Sequence, residues 1–270
     1  MTPIETRMRV MTWNLWWRFG PWEARLPAIE ATIKSVDPDV VALQEVWDDG
    51  TRNEAAELAA AIGFEHVYAS RVNLDGVQLG NAVLSRWPIE FHETSPLPAP
   101  PGSEELRLCL RADIGGPRGG FQFFATHLNW RFDQSHVRQE QVRAIARFID
   151  QSPDRTYPPI LCGDFNAAPD SYEIWMLTGR TTVPVPKLMF HDAWEAASDK
   201  TGSFDGMTWS NANPFAADGM EPNRRIDYVF AGWPKADGRG HILKCTVAGK
   251  DPVNDVYPSD HYAVVAELRY

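Results

Sequence analysis

The sequence predicts an α/β (α+β) protein in which two sheets pack face to face beneath outer helices. Three observations point there: the chain opens as strand, helix, strand; strands and helices alternate again in the second half; and the apolar runs stop on residues able to act as acids, bases or metal ligands. The run Pro158-Pro159-Ile160-Leu161-Cys162 shows the pattern: it is uncharged, too short for an independent helix, and ends just before Asp164 and Asn166.

In chain order, Arg9-Val10-Met11-Thr12-Trp13-Asn14 reads as the first strand. Leu26, Ile29, Ile33 and Val36 recur every three to four residues, which predicts a helix over 25–36 that Pro38 ends before a strand from Val40 to Glu45. Thr51 and Glu54 have the spacing of a capping box, so a helix over 55–62 is expected, stopped by Gly63. Strands follow at 65–71, 81–85, 106–114 and 121–126, then a helix over 136–150 capped by Ser135, with Val137, Val142, Ile145, Phe148 and Ile149 on its apolar face. The second half adds the Ile160 strand, short helices near 172–177 and 192–197, and strands near 207–209, 226–230, 242–247 and 262–268. Segments 96–101 and 181–186 are Pro-rich and read as surface loops within one domain spanning 1–270, because candidate site residues fall on both sides of each.

A chain of 270 residues has ample length for one large core, and 44% hydrophobic with 23% charged residues disfavours disorder and membrane classes. The first residues lack an apolar stretch of signal-peptide length and no segment approaches membrane-spanning length, so the expected location is cytoplasmic. Cys109, Cys162 and Cys245 are odd in number and lack metal-ligand spacing, which predicts buried free thiols in a reducing compartment and no structural zinc. A formal charge of −10 argues against broad clamping of duplex DNA, although a local basic patch can coexist with an acidic whole. Oligomeric state is left open.

Taken singly, the polar residues at the strand ends have ordinary readings. An Asn after a strand is a common turn residue, a lone His127 suits a satisfied core histidine, and Asp227 could anchor an arginine as readily as orient a base. Together and in this order they resemble the endonuclease/exonuclease/phosphatase superfamily, the deoxyribonuclease-like metal phosphohydrolases. The resemblance runs from Thr12-Trp13-Asn14 through Leu43-Gln44-Glu45-Val46, Gly80–Arg86, Thr126-His127-Leu128, Gly163-Asp164-Phe165-Asn166 and Arg225-Ile226-Asp227-Tyr228 to Ser259-Asp260-His261.

That resemblance implies a four-layer αββα sandwich, two mixed sheets face to face, with the active site at one edge. It implies Mg²⁺-dependent hydrolysis of a phosphate ester, more often a diester than a monoester, by in-line attack of an activated water, with Mn²⁺ expected to substitute. Glu45, the amide oxygen of Asn14 and Asp260 would hold the cation, which favours oxygen ligands. Asp164 would orient and deprotonate water, Asn166 would donate to the phosphoryl oxygens, and His127 would be a second donor. His261 would hold the phosphate or exchange a proton, its tautomer fixed by Asp227; which of Asp164 and His261 is the base stays open. Gln78-Leu79 stands where some nucleases of this type carry a further acidic ligand, so one metal or two also stays open.

The fold serves nucleases, inositide phosphatases and sphingomyelinases alike, so the substrate must be read elsewhere. Trp13, Trp16, Trp17, Phe19 and Trp22 crowd the first strand and the segment after it, and Trp130-Arg131-Phe132 follows His127. These rings suit either core packing or stacking on a substrate, with Arg18, Trp130 and Arg131 as candidate substrate contacts. A small or accessible phosphate ester is favoured over duplex DNA. The alternatives are an endo- or exonuclease on DNA or RNA, a phospholipid, sphingomyelin or inositol phosphate hydrolase, and a catalytically silent binding protein.

Overall fold

The computed structural model describes residues 6–154, 156–197, 199–201, 206–217 and 219–270. Its elements run β1 (Arg7–Asn14), α1 (Trp22–Val36), β2 (Val40–Asp48), α2 (Glu54–Ile62), β3 (Glu65–Leu74), β4 (Val77–Ser85), β5 (Ile89–Pro96), β6 (Leu108–Gly116) and β7 (Gly119–His127). A 3₁₀ turn at Phe132–Gln134 leads into α3 (Ser135–Gln151), then β8 (Ile160–Asp164), α4 (Tyr172–Thr178), β9 (Phe190–Asp192), α5 (Ala193–Ala196) and β10 (Asp199–Thr201). The chain ends with α6 (Pro214–Ala217), β11 (Asp227–Gly232), β12 (Ile242–Ala248) and β13 (Ala263–Arg269).

Alternation inside the apolar runs sets the layering. Met8, Val10, Val40 and Ala42 face Ala112, Phe123, Ile160 and Cys162 across the space between the two sheets. Their neighbours Met11, Trp13, Val41 and Leu43 point the other way, onto Ile29 and Ile33 of α1 and Leu58 of α2. On the far side Phe124, Leu161 and Phe230 pack under Val142, Ile145 and Ile149 of α3 and Ile174 of α4. A strand buried on both faces has no polar side to show, which is why these strands read as unbroken apolar runs. The result is the αββα order, helix, sheet, sheet, helix.

Among the described residues one sheet has seven strands in the order β10-β12-β13-β1-β2-β4-β3, the other six in the order β5-β6-β7-β8-β11-β9. Both are mixed: β1 is parallel to β2 and β7 to β8, while β13 and β11 run antiparallel beside them. All three cysteines are buried and free. Among the described residues no helix is long and apolar enough to cross a membrane.

Several local expectations need correction. Asn53, not Thr51, caps α2, its side chain accepting from Ala56 N at 3.0 Å, while the Thr51 hydroxyl donates to Asp49 at 2.6 Å. Ser135 does not cap α3; it is the first helical residue, and its hydroxyl accepts from Gln139 Nε2 at 3.2 Å. The strand near 207–209 is reduced to isolated bridges from Trp209 to Arg224 and His261. Pro96 closes β5, an edge strand whose side chains are mostly exposed and carry no apolar signal. The helix near 192–197 shrinks to α5, because Asp192 ends β9 and then caps the helix through Trp194 N at 3.0 Å.

Candidate active site

Strand register gathers the second-sheet residues. Asp164 at the end of β8 pairs directly with His127 at the end of β7 and with Asp227 at the start of β11, so the three stand in one row. The row needs Gly163: a Cβ there would lie 2.0 Å from the Thr126 carbonyl oxygen, so only glycine lets β8 lie this close to β7. Asn166 turns back with φ of 49°, its backbone N–H donating to Asp164 Oδ1 at 2.8 Å and its Nδ2 to the Leu128 carbonyl at 3.1 Å.

The first sheet contributes from the same edge. Asn14 ends β1, and Glu45 sits with φ of 53° inside a bulge where the pairing of β2 with β4 skips between Leu43 and Val46. The bulge breaks the in-out alternation and frees the Glu45 side chain from the helix-facing layer. Asp260 and His261 lead into β13, anchored by Trp13 Nε1 donating to the His261 carbonyl at 3.0 Å and by the Ser259 hydroxyl donating to the Asn14 carbonyl at 2.6 Å.

The two sets meet at Asp164. Its Oδ2 lies 3.1 Å from Asn14 Nδ2, 3.4 Å from His127 Nε2 and 3.8 Å from His261 Nε2. Asn14 Nδ2 also donates to Glu45 Oε1 at 3.1 Å, while its Oδ1 accepts from Trp16 N at 2.9 Å. His261 Nδ1 contacts Asp227 Oδ2 at 2.9 Å, and Asp227 is fully buried. His127 Nδ1 has a different partner, Arg107, whose Nη1 is 2.9 Å away.

Burial raises the Asp164 carboxyl above its usual range, Asp227 adding to the shift against His261. Asp260 is raised for the same first reason, with Glu45 pushing further. For His261 burial works against the charged ring, but Asp227, Asp260 and Asp164 outweigh it and its pKa is raised. His127 goes the other way: burial, then Arg107 and His261, hold it well below its ordinary value.

For a divalent cation the donor chemistry fits. Glu45 and Asp260 are hard oxygen donors close enough to repel each other, and a cation between them would relieve that repulsion. Asp164, Asp227 and His261 also bring ligating atoms within 4.8 Å of one another, but Asp227 Oδ2 and His261 Nδ1 already bond to each other. Glu45 and Asp260 are therefore the better candidate pair.

A cavity of about 480 Å³ opens over these residues, with Trp16, Phe19, Leu74, Trp130 and Trp209 on its walls. Trp209 stands edge-on to His261, 5.0 Å between ring centroids. Glu104, Glu105 and Glu221 also line it, and its two arginines are ion-paired, Arg107 with Glu105 and Arg224 with Glu221. Of the three candidate substrate contacts, Trp130 lines the cavity and Arg18 and Arg131 do not. Arg18 lies between the rings of Trp22 and Trp47 and pairs with Asp49; Arg131 lies over Trp130. Arg107 and Trp209 went unread because an arginine at a strand start and a lone tryptophan carry no local signal; only the fold brings them here.

A buried carboxylate between two histidines, at the shared edge of two sheets and beside a pair of acids fit for a cation, is equipment for phosphoester hydrolysis. A model of the Endonuclease/Exonuclease/phosphatase family matches residues 11–261, and the chain belongs to that family of phosphoester hydrolases. Among curated proteins it is similar to the uncharacterized protein YbhP of Escherichia coli K12, 30% identical over 175 residues covering 58% of this chain and 66% of that protein. It is also 25% identical to a putative neutral sphingomyelinase of Drosophila melanogaster over 97% of this chain, and spans 60% of that protein. Among solved structures, an endonuclease/exonuclease/phosphatase from Beutenbergia cavernae superposes with a TM-score of 0.71 at 27% identity, covering 97% of this chain and 71% of that one.

Proposed function

We propose that residues 1–270 act as one catalytic unit, a Mg²⁺-dependent phosphodiesterase in which water held at Asp164 attacks phosphorus in line with the leaving oxygen. The observation that carries this reading is the placement of Asp164 Oδ2 among Asn14, His127 and His261, each within 3.8 Å and all buried. Asp164 accepts the water proton, while Asn166 and His127 donate to the phosphoryl oxygens as charge builds. His261, held by Asp227, exchanges a proton with the ester. Glu45 and Asp260 would hold the cation, with Asn14 able to join them only through the lone pair its Oδ1 keeps beside the Trp16 N–H; the cation when bound would neutralise phosphoryl charge and stabilise the leaving oxygen, and Mn²⁺ should serve as well.

The cavity argues for a small or accessible substrate. Its walls are aromatic and aliphatic, four glutamates line it, and its arginines are already paired, so a long polyanion would find little phosphate neutralisation there. One phosphodiester carrying an apolar or aromatic group fits better. The free buried thiols suit the reducing cytoplasm, the compartment we propose.

The test is turnover of bis(p-nitrophenyl) phosphate and p-nitrophenyl phosphate with Mg²⁺, Mn²⁺ or EDTA, beside plasmid DNA, single-stranded RNA, sphingomyelin vesicles and inositol phosphates. The expected result is metal-dependent cleavage that favours the aryl diester. EDTA-insensitive turnover, or none on any substrate, would reject the reading; faster cleavage of DNA would move it to a nuclease.

A further inference from the structure

We propose that Arg107 is a positioning residue that fixes His127 in the tautomer carrying its proton on Nε2, so that the ring faces the ester as a neutral hydrogen-bond donor. Only the catalytic consequence rests on the phosphodiesterase reading; the tautomer follows from geometry alone.

A guanidinium has N–H donors and no acceptor. Arg107 Nη1 stands 2.9 Å from His127 Nδ1, so that nitrogen must offer a lone pair and the single ring proton must sit on Nε2. Arg107 has little freedom to turn away: it is buried, and its Nε and Nη2 donate to Glu105 Oε1 at 3.1 and 2.7 Å. Glu105 is held in turn by the Trp130 backbone N–H, which donates to the same oxygen at 3.2 Å.

The charged and titratable groups around the ring are Arg107 on one side and Asp164 and His261 on the other. Asp164 Oδ2, 3.4 Å from Nε2, stands beside that proton as a carboxylate oxygen and alone would favour a doubly protonated ring. Burial and the fixed positive charge of Arg107 oppose this. Asn166 Nδ2 also lies 3.2 Å from Nε2, but it already donates one proton to the Leu128 carbonyl, and the Arg107 contact to Nδ1 is shorter and charge-assisted, so Nδ1 is the nitrogen that accepts.

The two histidines beside Asp164 therefore have opposite outer partners. Asp227 accepts from Nδ1 of His261, whereas Arg107 donates to Nδ1 of His127. Near-identical rings are assigned different tasks by what stands behind them.

The test is a long-range ¹H–¹⁵N correlation spectrum of the ¹⁵N-histidine-labelled full chain, with the His127 signals assigned by loss in His127→Gln. Wild type should show the Nε2–H tautomer at neutral pH. Arg107→Lys, which keeps a donor, should preserve that pattern, whereas Arg107→Met should mix tautomers and let the ring titrate. In kinetics, Arg107→Met should lower kcat by roughly tenfold to a hundredfold, the usual cost of losing an orienting partner, and add an inflection to the pH profile. An Nδ1–H tautomer in wild type overturns the proposal, and so does an Arg107→Met variant with unchanged tautomer and titration. If Arg107→Met fails to fold, by circular dichroism, the wild-type tautomer and Arg107→Lys decide. These spectra need no turnover, so a failed substrate panel leaves them standing.

Discussion

Asp227 Oδ2 lies 2.9 Å from His261 Nδ1, joining a residue that opens a strand of one sheet to one that leads into a strand of the other. The contact crosses the sandwich and spans 34 sequence positions, so it exists only when both sheets are seated.

If these residues act as one unit, Asp227→Asn/His261→Ala should be within about fivefold of His261→Ala alone in kcat/KM. Fully additive losses in this double-mutant cycle would show that they act independently. Asp227→Asn should also move the acid limb of the activity profile, which a purely structural carboxylate would leave in place.

Glu45→Ala should fold normally and lose most Mg²⁺-dependent turnover, with Glu45→Gln intermediate because an amide oxygen coordinates without bringing charge. The measurement is kcat against Mg²⁺ concentration. Wild-type activity in the alanine variant at limiting Mg²⁺ would remove Glu45 from the cation site.

Asp164 and Asn166 share a turn but should fail differently. Asp164→Asn should cost roughly a hundredfold to ten-thousandfold in kcat. Asn166→Ala keeps the backbone bond to Asp164 Oδ1 and should cost about a hundredfold to a thousandfold, with KM little changed. A rise in KM alone would move either residue from chemistry to binding.

Arg18→Ala should change stability rather than substrate affinity. The guanidinium lies 4.2 Å from the Trp47 ring centroid and 4.6 Å from that of Trp22, contacts whose loss costs on the order of 1 kcal/mol. A lowered Tm with unchanged KM is expected, and a several-fold rise in KM would restore Arg18 to the substrate.

Burial raises the Glu54 carboxyl to about 8 from an ordinary 4.5, against a hydrogen bond from Trp47 N and the pull of Arg25. The folded protein therefore takes up this proton more readily than the unfolded chain. Its contribution is fully present below pH 4.5 and is lost as pH rises through about 8. Glu54→Gln should remove that slope, a difference on the order of a few kcal/mol across the window by denaturant titration at several pH values. Parallel slopes for the two proteins would show that Glu54 is ionised in the fold.

Where a signal is local, the sequence carried it. The strands of the inner sheets were legible because burial on both faces writes an unbroken apolar run, and Asn14, Glu45, Asp164 and His261 because each ends or adjoins one. β5 was not, since an exposed edge strand is held by backbone pairing that side chains do not encode. The cap of α2 was misplaced by two residues because Thr51 and Asn53 are both good caps and the choice between them depends on the turn around Asp49. Arg18 leaves the loop towards Trp22, Trp47 and Asp49, because proximity in sequence to the first site strand says nothing about which way a long side chain turns. Arg107 is the converse, a long-range partner visible only once β6 lies beside β7.

Asn14 reaches from one sheet to Asp164 in the other at 3.1 Å and holds Glu45 with the same nitrogen. The candidate reacting groups are thus split between two slabs whose mutual seating rests on side-chain interdigitation, with no strand among the described residues running through both. A slip of an ångström between the slabs would leave every strand and helix intact and still pull the carboxylate away from its neighbours. Turnover is consequently a finer gauge of that seating than any measure of secondary structure, and under mild denaturant it should fade while circular dichroism still reads a folded chain.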